Sequence, residues 1–307
     1  MPTRREAMTL TASASLLAVG VGALARAAAR EAASGPLKVI ASFSILGDLV
    51  RNVGGDRQDV ATLVGANGNA HVYAPSPADA KKVADAAVVF VNGLGFEGWL
   101  ERLVKASGTK APIVVATTGI KPLERADAHD HGRADPHAWQ SVANSKIYVG
   151  NIRDALIAID PAGKAGYEAN AAAYLAKLDA LDREVRETLA KVPPERRRVV
   201  TSHNAFGYFE SAYGIRFTAP QGVSTEAEAS AKDVAAIISA VRQQKAAAVF
   251  LENVTDPRLV RQIADETGAK VGGTLYSDAL TDASGDATTY IDLVRHNLRQ
   301  LANGLMS

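Results

Sequence analysis

The feature that most limits how this chain can fold is the stretch 163–192. Its apolar residues Tyr167, Tyr174, Leu178, Leu181, Val185 and Leu189 fall three, four and seven apart. That is the period of an α-helix with one buried stripe, and Pro193-Pro194 stops it. At 1.5 Å per residue such a helix is about 45 Å long, enough to span two lobes, and it would connect them and resist hinge opening. On both sides of it, short apolar runs alternate with amphipathic stretches, the pattern of βα units and parallel sheets. Before it, strands are expected over 37–42, 59–64, 87–92 and 112–116, with helices over 46–53, 77–85 and 96–106. After it, strands are expected over 198–202, 216–219, 247–252 and 270–275, with helices over 205–213, 231–244, 257–267 and 288–302. Ser76 can cap the helix that follows it and Pro77 suits a first helical position. The two halves share element order and no sequence repeat. At 307 residues the chain is long for one core and comfortable for two. The fold class is therefore α/β, two βα lobes with parallel-type sheets joined by one long connecting helix.

The first 33 residues read differently. Arg4-Arg5 precede an uncharged run over 7–25, and small residues follow at Ala27-Ala28-Ala29 and Ala32-Ala33. Basic, apolar, small is the order of a secretory signal, and the apolar run is too rich in Ala, Gly, Ser and Thr for a membrane span. Thr3-Arg4-Arg5 also resembles a twin-arginine export motif, which leaves two export routes open. The expected plan is an export signal at 1–33, an N-terminal βα lobe at 34–161, the connecting helix at 162–194 and a C-terminal βα lobe at 195–307. Without the signal, 30 basic and 31 acidic residues remain, a net charge of −1. No basic field is left to attract nucleic acid or an anionic membrane surface. The chain has no cysteine, so a thiolate zinc cluster is excluded, as is a lipoprotein signal, which needs a cysteine to acylate. A monomeric, freely diffusing periplasmic protein is expected.

Three of the six histidines stand where a strand or loop gives way to a helix: His71 in Asn69-Ala70-His71-Val72-Tyr73, His137 in Asp135-Pro136-His137-Ala138-Trp139, and His203 in Ser202-His203-Asn204-Ala205-Phe206. A fold that returns its strand ends to one cleft would gather them. Imidazoles beside a carboxylate make a transition-metal site, and three nitrogens with one oxygen suit the tetrahedral preference of zinc. Asp278, in Tyr276-Ser277-Asp278-Ala279-Leu280, follows the last strand of the second half, where a parallel sheet presents its binding residues. It is the candidate fourth ligand.

These sentences also carry a resemblance. His71 followed by Tyr73, Pro75, Ser76 and Pro77, then Asp135 to Trp139, then Ser202-His203-Asn204-Ala205-Phe206-Gly207-Tyr208-Phe209, then Ser277-Asp278-Ala279-Leu280, resemble the metal-binding solute-binding proteins of ABC importers. This is the ZnuA/TroA-like group, cluster A-I, and the wording around 135–145 is most similar to the AztC-type zinc-binding proteins. The resemblance covers about Lys38 to Leu305. It implies a bilobal fold with one connecting helix, an ion held between the lobes by His71, His137, His203 and Asp278, and a cognate ABC permease as partner; whether a periplasmic zinc chaperone takes part is left open by the sequence. Manganese members tend to have Glu at the third position, so His203 favours Zn2+ as cargo over Mn2+. Two departures stand out. Asn69-Ala70 replaces the usual Asp-Pro before the first histidine, which leaves Asp278 as the carboxylate. The long histidine-rich loop of many zinc members shrinks to Asp127-Ala128-His129-Asp130-His131-Gly132, which either captures zinc or is a plain solvated loop.

Asn204, Glu226, Glu228 and Glu252 are candidates to orient the ligand rings. His296, on the final helix, reads as structural or exposed. A zinc hydrolase shares the ligand types, yet no His-Glu-x-x-His pair and no general base is present, and Asp278 would fill the position a hydrolase keeps for water. A binder of an organic ligand on the same frame would use aromatic and arginine contacts, and only two tryptophans are available. The expectation is a zinc-binding transport protein with no catalytic residues.

Overall fold

The computed structural model describes residues 35–123, 134–244 and 246–306. The expected export signal and the His129-Asp130-His131 segment lie outside the described residues. No described helix is long and apolar enough to cross a membrane.

Two four-stranded sheets repeat one topology. The first contains β1 (Leu37–Phe43), β2 (Gln58–Val64), β3 (Val88–Val91) and β4 (Ile113–Val115), in the order β2-β1-β3-β4. The second contains β5 (Arg198–Val200), β6 (Arg216–Thr218), β7 (Ala248–Glu252) and β8 (Val271–Leu275), in the order β6-β5-β7-β8. Pairing is parallel, with Ile40 opposite Val89 in one sheet and Val199 opposite Ala248 in the other. β1 is buried from Val39 to Phe43 and β3 throughout, as expected of parallel strands covered on both faces.

Nine helices are present among the described residues: α1 (Ser44–Gly54), α2 (Pro77–Ala84), α3 (Leu100–Ser107), α4 (Val142–Ile159), α5 (Lys164–Leu189), α6 (Gly207–Tyr213), α7 (Ala231–Gln244), α8 (Pro257–Thr267) and α9 (Tyr290–Met306). α2 starts as its sequence predicts, with Pro77 in its first turn and a reciprocal capping box in which Ser76 and Asp79 satisfy each other's backbone amides. α4 is a helix that the sequence pattern hides. It has no side-chain cap, and apolar residues lie off its buried face, including Ile147, which is 36% exposed.

The long helix is α5, which buries Tyr167, Ala171, Tyr174, Leu178, Leu181, Val185 and Leu189 on one stripe. Its 26 residues give about 39 Å of length. Near its start it meets the first lobe, where the Gln58 amide donates to the Tyr167 hydroxyl at 2.6 Å and Asn170 donates to the Val53 carbonyl at 3.1 Å. Near its end it meets the second, where the Tyr213 hydroxyl donates to Asp182 at 2.8 Å and Arg186 donates to the Ala212 carbonyl at 3.1 Å.

α9 ties the lobes a second time. It packs on β8 and α5 and reaches α1, whose Asp48 accepts from the Tyr290 backbone amide at 2.9 Å. Gly304 and Gly272 allow its close approach to the sheet, since a Cβ on Gly304 would fall 2.7 Å from Cζ of the buried Phe250 ring. One apolar core consequently runs from the first sheet through α1, α4, α5 and α9 to the inner side of the second, and residues from Lys38 to Ser307 form one compact unit. A smaller core of Val200, Ile237, Val241, Val249, Val260 and Ile263 fixes α7 and α8 on the outer side of the second sheet. With the lobes fused this way, whatever lies between them is held by a stiff frame.

Candidate metal centre

The loops that leave the carboxyl ends of the strands converge between the lobes. His71 lies in the loop after β2, His137 in the loop that enters the short 3-10 turn Ala138–Gln140, His203 three residues past the end of β5, and Asp278 three residues past the end of β8. Their ligating atoms all lie within 4.8 Å of one another, and all four residues are buried: His71 is 5% exposed and the others 0%. His71 Nε2 is 3.3 Å from His137 Nε2 and 3.3 Å from Asp278 Oδ2. His203 Nε2 is 3.2 Å from Asp278 Oδ2, and His137 Nε2 is 3.5 Å from Asp278 Oδ1. Among the described residues, neither oxygen of Asp278 nor Nε2 of His203 has a hydrogen-bond partner. Orphaned buried polar atoms are costly, and several that converge on one point fit a site built for a cation.

The far sides of two rings are held by carboxylates. Asp135 Oδ1 lies 2.8 Å from His137 Nδ1 and accepts from the His137 backbone amide at 2.9 Å. Glu252, at the end of β7, places Oε2 2.6 Å from His203 Nδ1, while its Oε1 accepts from the backbone amides of Ser202 and His203 at 2.7 and 2.9 Å. Asp135 can hold a proton on His137 Nδ1, and the Glu252 carboxylate sets its charge beside His203 Nδ1, an arrangement that favours the proton there and leaves Nε2 toward the centre.

The local sequence explains why these rings stay in place. Pro136 fixes the turn before His137, and its carbonyl accepts from the Asn92 side chain at 2.8 Å. Trp139 then packs against Phe43, Phe96 and the His137 ring, with centroids 4.9, 5.0 and 5.3 Å away. Its indole N–H and the Gln140 amide donate across the cleft to the Ser277 carbonyl at 2.9 and 2.8 Å, fixing the residue beside Asp278. The Phe96 ring also meets the His71 ring edge-on at 4.8 Å.

Burial and charge set the protonation of the cluster. Burial pulls His71 below the ordinary imidazole value and outweighs the pull of Asp278 in the other direction. Burial acts the same way on His203, but Glu252 and Asp278 together lift it well above that value. Burial would raise Asp278, yet His203 and His137 hold it well below the usual carboxylate range.

All four ligand candidates read from the sequence meet here. Of the four residues expected to orient them, Glu252 does so. Asn204 is buried and its backbone amide donates to the Gly222 carbonyl at 3.0 Å, while Glu226 and Glu228 are exposed. Asp135 was missed in this role, although its position two residues before His137 was the available signal. His296 is structural: it is buried, with Nε2 3.0 Å from the Thr274 carbonyl oxygen.

Two stiffly joined α/β lobes that close over one small polar cluster define a binding protein for a small solute. The chain belongs to the ZnuA family, described as zinc-uptake complex component A, periplasmic, whose model matches residues 39–304. The manganese-binding lipoprotein MntA of Halalkalibacterium halodurans is 36% identical over 88% of each chain. The Mn-bound periplasmic metal-binding protein of Candidatus Liberibacter asiaticus superposes with a TM-score of 0.79 at 34% identity, covering 88% of this chain and 99% of that one. The periplasmic zinc-binding protein TroA of Treponema pallidum superposes with a TM-score of 0.83 at 29% identity, with the same coverage. The protein is thus a periplasmic metal-binding, substrate-binding component of an ABC transporter, and its partner is the cognate permease.

Proposed function

We propose that the protein carries one Zn2+ ion between its lobes, on His71, His137, His203 and Asp278, and delivers it to the permease. The observation that supports this reading most is the spacing of the ligand atoms. A tetrahedral ion with bonds of about 2.1 Å needs its ligands about 3.4 Å apart. Four separations lie near that value, at 3.2 Å and 3.3 Å from Asp278 Oδ2 to His203 and His71, 3.5 Å from Asp278 Oδ1 to His137 and 3.3 Å between His71 and His137, and all the ligand atoms lie within 4.8 Å of one another. Three nitrogens with one carboxylate also favour zinc over the oxygen-preferring manganese ion.

Manganese is the second reading. Both oxygens of Asp278 face the histidines, Oδ2 toward His71 and His203 and Oδ1 toward His137, so a bidentate carboxylate could raise the coordination number. Relatives named for manganese favour the same reading. Catalysis is not proposed, because Asp278 fills the position a zinc hydrolase leaves open for water. Nor is a lipid anchor, since the chain offers no cysteine to acylate. Delivery from a soluble periplasmic state, after removal of an export signal, follows from this reading.

Protonation gives a test of the binding chemistry. With the site empty, the charges of Glu252 and Asp278 raise His203 well above its ordinary value, whereas burial lowers His71, so His203 is the ligand that competes with a proton most strongly. Zinc must displace the His203 proton, so affinity should rise with pH and fall on acidification. Calorimetric titration in buffers of different ionisation enthalpy should show proton release on zinc binding that grows as the pH is lowered. Uptake without proton release would contradict this account of His203.

A further inference from the structure

Three of the four ligands are anchored to the frame. His137 is fixed by Asp135 and the 3-10 turn, His203 by Glu252, and Asp278 through the clamped Ser277 carbonyl. His71 differs in its exposure. Its loop 65–76 is tied where the Trp99 indole N–H donates to the Ala70 carbonyl at 2.7 Å and the Asn67 amide donates to the Leu280 carbonyl at 2.8 Å, yet His71 is the ligand with measurable exposure, 5%, beside Val72 at 53%.

The side chain of Asn69 joins this loop to the other lobe. Its Oδ1 accepts from the His71 backbone amide at 3.0 Å, and its Nδ2 donates to Thr225 Oγ1 at 2.9 Å and to the Val254 carbonyl at 3.2 Å. An aspartate here would lack the two N–H donors that cross the cleft.

A pocket of about 420 Å³ opens directly beside this junction, lined by Asn69, Ser202, Gln221, Thr225, Glu228 and Gln262 among others. It borders the site twice, through the residue two before His71 and the residue before His203. Among the described residues, Ser202 Oγ and Thr255 Oγ1, both on pocket-lining residues, are buried and have no hydrogen-bond partner. Glu228 adds an exposed carboxylate, while Arg258, also at the wall, is paired with Asp256 at 2.8 Å.

We infer that Asn69 and Thr225 form a latch that holds the His71 loop shut, and that the metal ion enters and leaves through the pocket beside it. Asn69 is a positioning residue acting through His71, and Thr225 touches no ligand. The inference rests on the reading of the four-residue cluster as the cargo site.

The test is stopped-flow release of zinc to a chelator from the full-length, zinc-loaded protein, with stoichiometry measured alongside. Thr225→Val removes one hydroxyl with little change of shape, and should still load one ion while releasing it about fivefold faster. Asn69→Ala should be faster still, and the double variant should not exceed it, because both remove one linkage. Gln262→Trp, at an exposed position of α8, narrows the pocket far from the ligands and should slow release about fivefold. Unchanged release from loaded Thr225→Val and Asn69→Ala overturns the latch, and unchanged release from Gln262→Trp overturns the route. A wild-type chain that takes up no ion overturns the underlying cargo reading together with the inference.

Discussion

An Asp278→Ala variant should bind zinc at least about a hundredfold more weakly than the wild type, measured by chelator competition at neutral pH. Four-ligand zinc sites are worth about 10–16 kcal/mol, so each ligand accounts for about 3 kcal/mol, which is a hundredfold or more. Asp278 should cost more than an average ligand. It is the one anion in the set of four, both its oxygens face the imidazoles, and its replacement would leave a divalent ion among neutral rings in a fully buried site. The depressed carboxyl also makes the stability of the metal-free fold depend on pH. A group held below its unfolded value contributes stability above that value and loses it as pH falls through the folded one. The variant should therefore show a smaller loss of stability in acid than the wild type. Affinity within threefold of wild type would remove Asp278 from the ligand set.

Glu252→Gln should weaken zinc binding by about 10–100-fold although Glu252 does not ligate the ion. Gln keeps a carbonyl oxygen that can accept from the Ser202 and His203 amides, so the end of β7 retains its backbone bonds. The change falls on the other oxygen. At 2.6 Å from His203 Nδ1, a carboxylate oxygen requires the proton on Nδ1, whereas an amide NH2 there donates and drives the proton to Nε2. The ring would then point an N–H, and no lone pair, at the metal. The same substitution removes the main charge that lifts His203, so proton release on zinc uptake at pH 7 should shrink in parallel. A variant that lost affinity while keeping full proton release would mean that Glu252 acts by some route other than the tautomer of His203.

Much of this was legible in the sequence because it rests on local rules. The apolar stripe of α5 ended by Pro193-Pro194 is periodicity, the capping box of α2 is short-range chemistry, and the eight strands are apolar runs between turn signals. His71, His203 and Asp278 were legible because each lies past the end of a strand and parallel sheets send those ends to one side, whereas His137 was marked by the Asp135-Pro136 turn ahead of it. What stayed hidden depends on tertiary position. α4 lies against α1 and α5 and needs no strong amphipathic pattern once they cover it. Glu226, Glu228 and Glu252 look alike along the chain, yet only Glu252 ends a strand next to β5 and so reaches His203. Asn69 read as a lost Asp-Pro, and its bonds to Thr225 and Val254 come from residues more than 150 positions away.

A cluster of three imidazoles and one carboxylate should select zinc over manganese. Native mass spectrometry of the full-length protein equilibrated with equal, limiting amounts of zinc and manganese tests it most directly. One zinc per chain and no retained manganese is the expected result, with the His203→Ala variant losing the zinc. A chain that retained manganese, or held zinc unchanged without His203, would contradict it.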